Sequence, residues 1–216
     1  MHCLVTAGPT YEKLDDVRRL TNFSTGRLGT ELAAHLTNAG HDVTLLVGEL
    51  ATWRGERIAK TITSFSTTAD LLAKFQALAD DDIGAVFHAA AVSDFSFGGV
   101  FEQNDRGELR ELKEGKISTR DGELLARLVP TPKLISRLRE FYREAVIVGW
   151  KYEIDGSRDD VIAKARQQIA ENRTTACVAN GRAYGEGFGV VDAAGNCPHV
   201  AGSKELFQQL TELVGA

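Results

Sequence analysis

The chain is poor in the residues that would commit it to an extracellular, fibrous or membrane-spanning form. Its 216 residues include three cysteines, four prolines and one methionine. Cys3, Cys177 and Cys197 are an odd number at no metal-ligand spacing, so reduced thiols are expected, not a disulfide framework or a zinc site. No apolar run reaches the ~20 residues of a membrane-spanning helix. The opening MHCLVTAGPT lacks the cationic-then-apolar order of a secretory signal, and the expectation is a cytoplasmic protein with no membrane partner. Internal repeats and low-complexity segments are absent. Basic residues are outnumbered, 25 against 30 acidic ones, for a net charge of −5. That balance argues against nucleic acid as the main partner and leaves room for a small anion in a local pocket. What remains is an ordinary globular composition, 43% hydrophobic and 25% charged, long enough for a single domain over residues 1–216.

Against that background residues 20–34, LTNFSTGRLGTELAA, stand out. Gly26 and Gly29 allow positive φ or close backbone approach, Ser24 and Thr25 supply hydroxyls, and Leu32, Ala33, Ala34 and Leu36 give the following helix an apolar face. The unpaired N–H groups at the start of such a helix favour a phosphate or carboxylate. An ordinary βα turn without a ligand is the plainer alternative.

Strands and helices alternate along the rest of the chain. Residues 2–6 form an apolar strand that breaks at Ala7-Gly8-Pro9-Thr10, and residues 11–21 read as a long loop. The first helix runs to about Ala39 with Gly40 as its terminal glycine, and residues 41–47 complete a βαβ unit. Further strands are expected at 58–65, 83–91, 145–150 and 175–179, with helices at 69–79, 133–144, 157–169 and 203–214, the last capped by Ser203. Asp94 falls just beyond a strand tip, where a carboxylate suits a metal ion, a polar ligand group or a turn cap. Residues 96–123 lose periodicity and read as a functional loop carrying Lys116, which taken alone is a solvated surface charge. The pattern predicts a three-layer α/β fold, doubly wound around a mostly parallel, Rossmann-like sheet, with ligands at the carboxyl ends of the strands.

Two chemistries compete for such a fold. A nicotinamide-dependent reductase would want glycines directly after the first strand, an acidic residue closing the second, and a Tyr-x-x-x-Lys pair. HDVTLLVG ends without an acid, and none of Tyr11, Tyr142, Tyr152 and Tyr184 has a lysine four residues on. A phosphate-handling site without nicotinamide fits better.

The motifs TAGPTYEKLDDVRRLTNFSTGRLG, AAAVSDF, KIS, LVPTPKLI, VGWKYE and VANG occur in the order and approximate spacing of the phosphopantothenoylcysteine synthetases. The chain resembles a free-standing member of that family over nearly its whole length, without the flavin-dependent decarboxylase often fused ahead of it. The resemblance implies a homodimer that joins 4'-phosphopantothenate to cysteine after CTP or ATP, with Mg²⁺, has activated the carboxylate as an acyl-nucleotide. It places Asn22 on the residue that holds this intermediate and Lys116 on a flap over the active site. It puts Asp94 in the nucleotide and metal site, with His88, Ala89 and Ala90 facing the base. Gly8, Ser24, Thr25, Gly26 and Gly29 belong to the loops that cradle the nucleotide, and Thr131, Pro132 and Trp150 add contacts. The chain departs from the family where Gln167 and Glu171 stand in place of phosphate-binding lysines, with Lys164 or Arg166 as substitutes. It also departs at Ser118 and Thr119 after Lys116, at Gly181 in place of an acidic residue, and at Trp150 in place of phenylalanine. The alternatives are the reductase and a non-catalytic nucleotide-binding relative.

Overall fold

Near-continuous apolar runs become the central strands, because parallel strands covered by helices on both faces have no polar side to show. The computed structural model describes residues 1–104, 106–118 and 123–215. In chain order β1 (His2–Ala7) leads into a hairpin of β2 (Tyr11–Lys13) and β3 (Arg19–Thr21), then α1 (Arg27–Asn38), β4 (Asp42–Gly48), β5 (Thr61–Phe65), α2 (Thr68–Ala77) and β6 (Ala85–His88). Next come β7 (Phe95–Gln103), β8 (Leu109–Leu112) and β9 (Glu123–Pro130), followed by α3 (Ile135–Phe141) and β10 (Val146–Tyr152). The chain closes with α4 (Arg158–Asn172), β11 (Ala176–Asn180), β12 (Phe188–Asp192), β13 (His199–Val200) and α5 (Ser203–Glu212).

Eight strands form one sheet in the order β13-β12-β11-β10-β6-β1-β4-β5. Its members from β5 to β11 are parallel, and β12 and β13 are added antiparallel at one edge. Alternate residues of each strand face opposite layers. Val5, Phe87, Val148 and Val178 pack with Leu32 and Leu36 of α1 and with Leu206 and Leu210 of α5. On the other side Leu4, Val86 and Ile147 meet Leu71 and Phe75 of α2 and Leu138 of α3, while Val161 and Ala165 of α4 cover Cys177 and Ala179. The result is the three-layer arrangement that the alternation of elements predicts.

Several local expectations are corrected. Residues 96–123 contain, among the described positions, most of a separate three-stranded antiparallel sheet in the order β8-β7-β9, not a structureless loop. The supposed loop at 11–21 folds as the β2–β3 hairpin. Residues 188–200, for which the apolar pattern gives no strand, hold β12 and β13. Ser203 is the first helical residue of α5, and Gly202 is its cap, without a side-chain hydrogen bond.

Gly29 fixes how closely α1 lies on β1. A Cβ at this buried position would stand 2.7 Å from the Thr6 carbonyl oxygen and 2.8 Å from Ala7 Cβ. Gly29→Ala should therefore lower the unfolding free energy by roughly 1–3 kcal/mol through overpacking, against the ~1 kcal/mol that helix propensity alone would add. Urea denaturation checks this, and a variant as stable as the parent would show that α1 can step back freely.

Candidate functional site

The site is built where β1 and β6 lie side by side. From β1 the chain crosses through α1 to β4 on one flank, whereas β6 has β10 on its other flank, which makes the gap between their carboxyl ends the topological switch point. Pairing continues past the strand ends. Ala91 N donates to the Gly8 carbonyl at 3.0 Å, and Thr10 N donates to the Ala91 carbonyl at 3.1 Å. Beneath them the Thr6 hydroxyl accepts from Ala90 N at 3.1 Å and lies 2.9 Å from His88 Nδ1. The hydroxyl has one proton and two lone pairs, so it can satisfy either tautomer of the ring, donating to a bare Nδ1 or accepting from a protonated one. Burial pushes the His88 pKa down to about 4, so the ring is neutral at pH 7.

Two clefts open on either side of the β6 tip. A cavity of 560 Å³ is bordered by His88, Ala90, Asp94, Thr131, Pro132 and Trp150. A second cavity, of 410 Å³, is bordered by Ser24, Thr25, Gly26, Gly29 and Ala89. The expected residues are thus divided, with Ala89 facing one cleft and its neighbours the other. Gly26 caps α1 at φ +79°; Arg27 N donates to the Thr25 hydroxyl at 3.3 Å, and the amides of Leu28 and Gly29 have no side-chain partner among the described residues. Gly8, at φ +83°, has no room for a Cβ, which would sit 2.8 Å from Ala51 Cβ. Asn22 is exposed, and its Nδ2 donates to the Ala91 carbonyl at 3.1 Å, tying the glycine loop to the β6 tip. Lys116 borders neither of these clefts; it stands exposed beside the turn of the β2–β3 hairpin, where its neighbours Gly115 and Ile117 bond to Asp16 and Asp15. Thr119 lies outside the described residues.

Beside Asp94, Lys133 and Lys164 the first cleft carries Lys151 and Glu153. Lys133 pairs with Asp94, and Lys164 and Lys151 reach Glu153 at 2.6 Å and 3.5 Å. The hydrogen bond from Lys164 is the chief reason the Glu153 carboxyl is held below its usual range. Gln167 donates to Glu171 at 2.7 Å on the same wall. Of the two proposed substitutes for the missing lysines, Lys164 borders the cleft, whereas Arg166 turns away to the Gly195 carbonyl. Lys133 and Lys151 lie within the motifs LVPTPKLI and VGWKYE, and that position is the signal available for them. The indole of Trp150 packs with the α1/α5 cluster, and its Nε1 is buried with no hydrogen-bond partner among the described residues. Gly181 has a local cause: at φ +109° its Cβ would stand 2.3 Å from the Glu153 carbonyl oxygen, so a side chain there would displace the end of β10. Among the described residues no group of three or more His, Cys, Asp or Glu could hold a metal on its own. Separate carboxylates around one cleft, Asp94 foremost, suit Mg²⁺, which takes one or two carboxylates and shares its remaining positions with water and substrate phosphates.

The model of the DNA/pantothenate metabolism flavoprotein C-terminal domain matches residues 1–212. The chain belongs to that family. The coenzyme A biosynthesis bifunctional protein CoaBC of Thermococcus kodakarensis is 31% identical over 186 residues, 82% of this chain and 40% of that protein. The Bacillus subtilis protein of the same name is 32% identical over 190 residues, 87% of this chain and 42% of that one. The chain thus spans about two fifths of the length of these curated relatives. The crystal structure of the DNA/pantothenate metabolism flavoprotein from Streptococcus pneumoniae superposes with a TM-score of 0.86 at 28% identity, covering 99% of this chain and 98% of that one.

The buried imidazole gives a pH dependence. Between pH 6.5 and 4 the unfolded chain takes up a proton that His88 in the folded protein refuses, so stability falls as pH falls through that window. The loss from this residue is at most about 3 kcal/mol. Urea midpoints measured across the window should fall less steeply for His88→Gln than for the parent, and identical slopes would mean that His88 can charge in place.

Proposed function

We propose that this chain is a phosphopantothenate–cysteine ligase acting through an acyl-nucleotide. The observation that carries the reading is the pair of clefts that meet at the tip of β6, one lined by lysines and carboxylates and the other by the open first turn of α1. Family membership and relatives named for coenzyme A biosynthesis support it. A further solved structure, titled as a Cab2 mutant complex with phosphopantothenate-cysteine, shares the fold with a TM-score of 0.74 at 21% identity.

In this reading the carboxylate oxygen of 4'-phosphopantothenate attacks the α-phosphorus of CTP or ATP, and pyrophosphate leaves. The amine of cysteine then attacks the acyl carbon, and nucleoside monophosphate departs with the original carboxylate oxygen. Lys133, Lys151 and Lys164 receive the polyphosphate, and the first amides of α1 receive a phosphate group. Asp94 would hold Mg²⁺, which supplies neutralisation of phosphate charge when bound. Lys116, which borders neither cleft in this structure, neutralises the attacked phosphate once its flap closes over the site, and the Asn22 amide donates to the acyl oxygen. Residues 1–216 act as one cytoplasmic ligase domain that pairs as a homodimer.

Pyrophosphate release from 4'-phosphopantothenate with CTP or ATP tests the activity, and a saturable micromolar affinity for NADH or NADPH would move the chain to the reductase class. Lys116→Gln should depress turnover strongly with nucleotide affinity little changed, whereas equal losses in both would make Lys116 a ground-state contact. Asn22→Asp should slow product formation by roughly 10² to 10³ while acyl-nucleotide accumulates, as expected for the loss of one donor at a developing oxyanion. Quenched flow with all three substrates decides this, and normal product formation with no trapped intermediate would remove Asn22 from the reaction.

A further inference from the structure

The hairpin β2–β3 carries a charged cluster that the chemistry above does not use. Asp15, at its turn, has a side chain only 1% exposed and paired with Arg18. Its carboxylate accepts from the amides of Val17 at 2.9 Å and Arg18 at 2.7 Å, and from Arg18 Nε and Nη2 at 2.9 Å and 2.5 Å. A further donor comes from far along the chain, the amide of Ile117 at 3.2 Å. Arg18 Nη2 closes the ring by donating to the Ile117 carbonyl at 2.6 Å. Asp16 N donates to the Gly115 carbonyl at 2.9 Å, and a Cβ on Gly115 would stand 2.5 Å from Asp16 Oδ2. Ile117 is 5% exposed. Lys116 is therefore fixed at its backbone on both sides, and its ammonium group has no partner among the described residues. Desolvation opposes the charge on Asp15, but hydrogen bonds from Arg18, Val17 and Ile117 outweigh it and hold the carboxyl well below the usual range.

The same hairpin ends at Thr21, directly before Asn22, and is fastened to the switch point. The Thr21 hydroxyl donates to the Thr10 carbonyl at 2.8 Å, and Ser93 N donates to the Thr10 hydroxyl at 2.8 Å. At its base Thr68 N donates to Glu12 at 3.1 Å. One small rigid body thus holds Asn22 at one end and the Lys116 segment at the other. We propose that Asp15 is a positioning residue that latches residues 115–117 onto this hairpin, so that Lys116 and Asn22 are registered to each other by one element. The proposal rests on the ligase reading for the roles of those two residues. Physically, a fixed backbone leaves only the lysine's own torsions to be ordered at the reacting phosphate, which is the part of the entropy that positioning can remove.

Asp15→Asn tests it, because the amide keeps the size but turns N–H groups toward N–H donors. Trypsin cleavage after Lys113 or Lys116 in the ligand-free protein should accelerate roughly tenfold as the segment opens locally. Ile117→Ala, which removes only the buried anchor and leaves the bonds within the hairpin, should show the same acceleration if Asp15→Asn fails to fold. Asp15→Asn should also lower kcat about as far as Lys116→Gln does, with KM for nucleotide unchanged, and the double variant should be no slower than Lys116→Gln alone. Multiplied losses in the double variant, or cleavage as slow as in the parent, would overturn the latch. If the parent protein releases no pyrophosphate, the ligase reading fails, and the cleavage rates alone then uphold or overturn the latch.

Discussion

The structure depends on the zip between the ends of β1 and β6. Parallel strands normally part at their carboxyl ends, and each then turns its last backbone groups to solvent or ligand. Here the Thr6 hydroxyl links Ala90 to His88, and the Ala91 carbonyl accepts from both Thr10 and Asn22. Two more bonds extend the seam: Ser93 N donates to the Thr10 hydroxyl, and the Thr131 hydroxyl donates to the Ser93 carbonyl at 2.5 Å. Loops from four parts of the sequence are thereby fixed to one line. Buried polar networks of this kind confer definition only when every member is satisfied, because each unpaired group would cost on the order of 1–3 kcal/mol. The neutrality of His88 follows from the same constraint, since a charged ring would need a counter-ion that the seam does not supply.

Charge in the larger cleft is arranged in pairs. Lys133 sits against Asp94, and Lys151 and Lys164 share Glu153. Such partly exposed pairs hold one another weakly, because solvent screens them. A polyphosphate offers each lysine several charge-assisted acceptors at once and can outcompete a single carboxylate. The released carboxylates are then free to face a cation that travels with the phosphates. Lys164 lies one helical turn before position 167 and two before position 171, on the wall of the same cleft, because residues three, four or seven apart share a helix face.

Much of this was legible in the sequence, and the exceptions share a cause. The buried parallel strands appear as apolar runs such as CLV and AVF because both of their faces are covered. The β8-β7-β9 sheet shows no such signal. β7 has intermediate exposure at most positions and β8 and β9 are mostly exposed, with neither face fully buried, so no alternation of period two is imposed on FSFGGVFEQ or ELLARLVP. The hairpin at 11–21 was hidden for a different reason: it is held by Asp15 and by contacts to residues 66–68 and 115–117, and its own strands are three residues each. Motif spacing located Asn22, Asp94 and the glycine loop. The placing of Asp94 and the glycine loop on separate clefts, and the gathering of Lys133, Lys151 and Lys164, depend on which face each strand presents beyond its end, and that is set by the sheet.

The central claim is that the carboxylate of the acid becomes bonded to the α-phosphorus of the nucleotide before cysteine attacks. It is tested by supplying 4'-phosphopantothenate labelled with ¹⁸O in its carboxylate, together with cysteine and CTP or ATP, and recording the mass of the nucleoside monophosphate formed. The account predicts transfer of one labelled oxygen to the monophosphate. Unlabelled monophosphate alongside labelled product would contradict it.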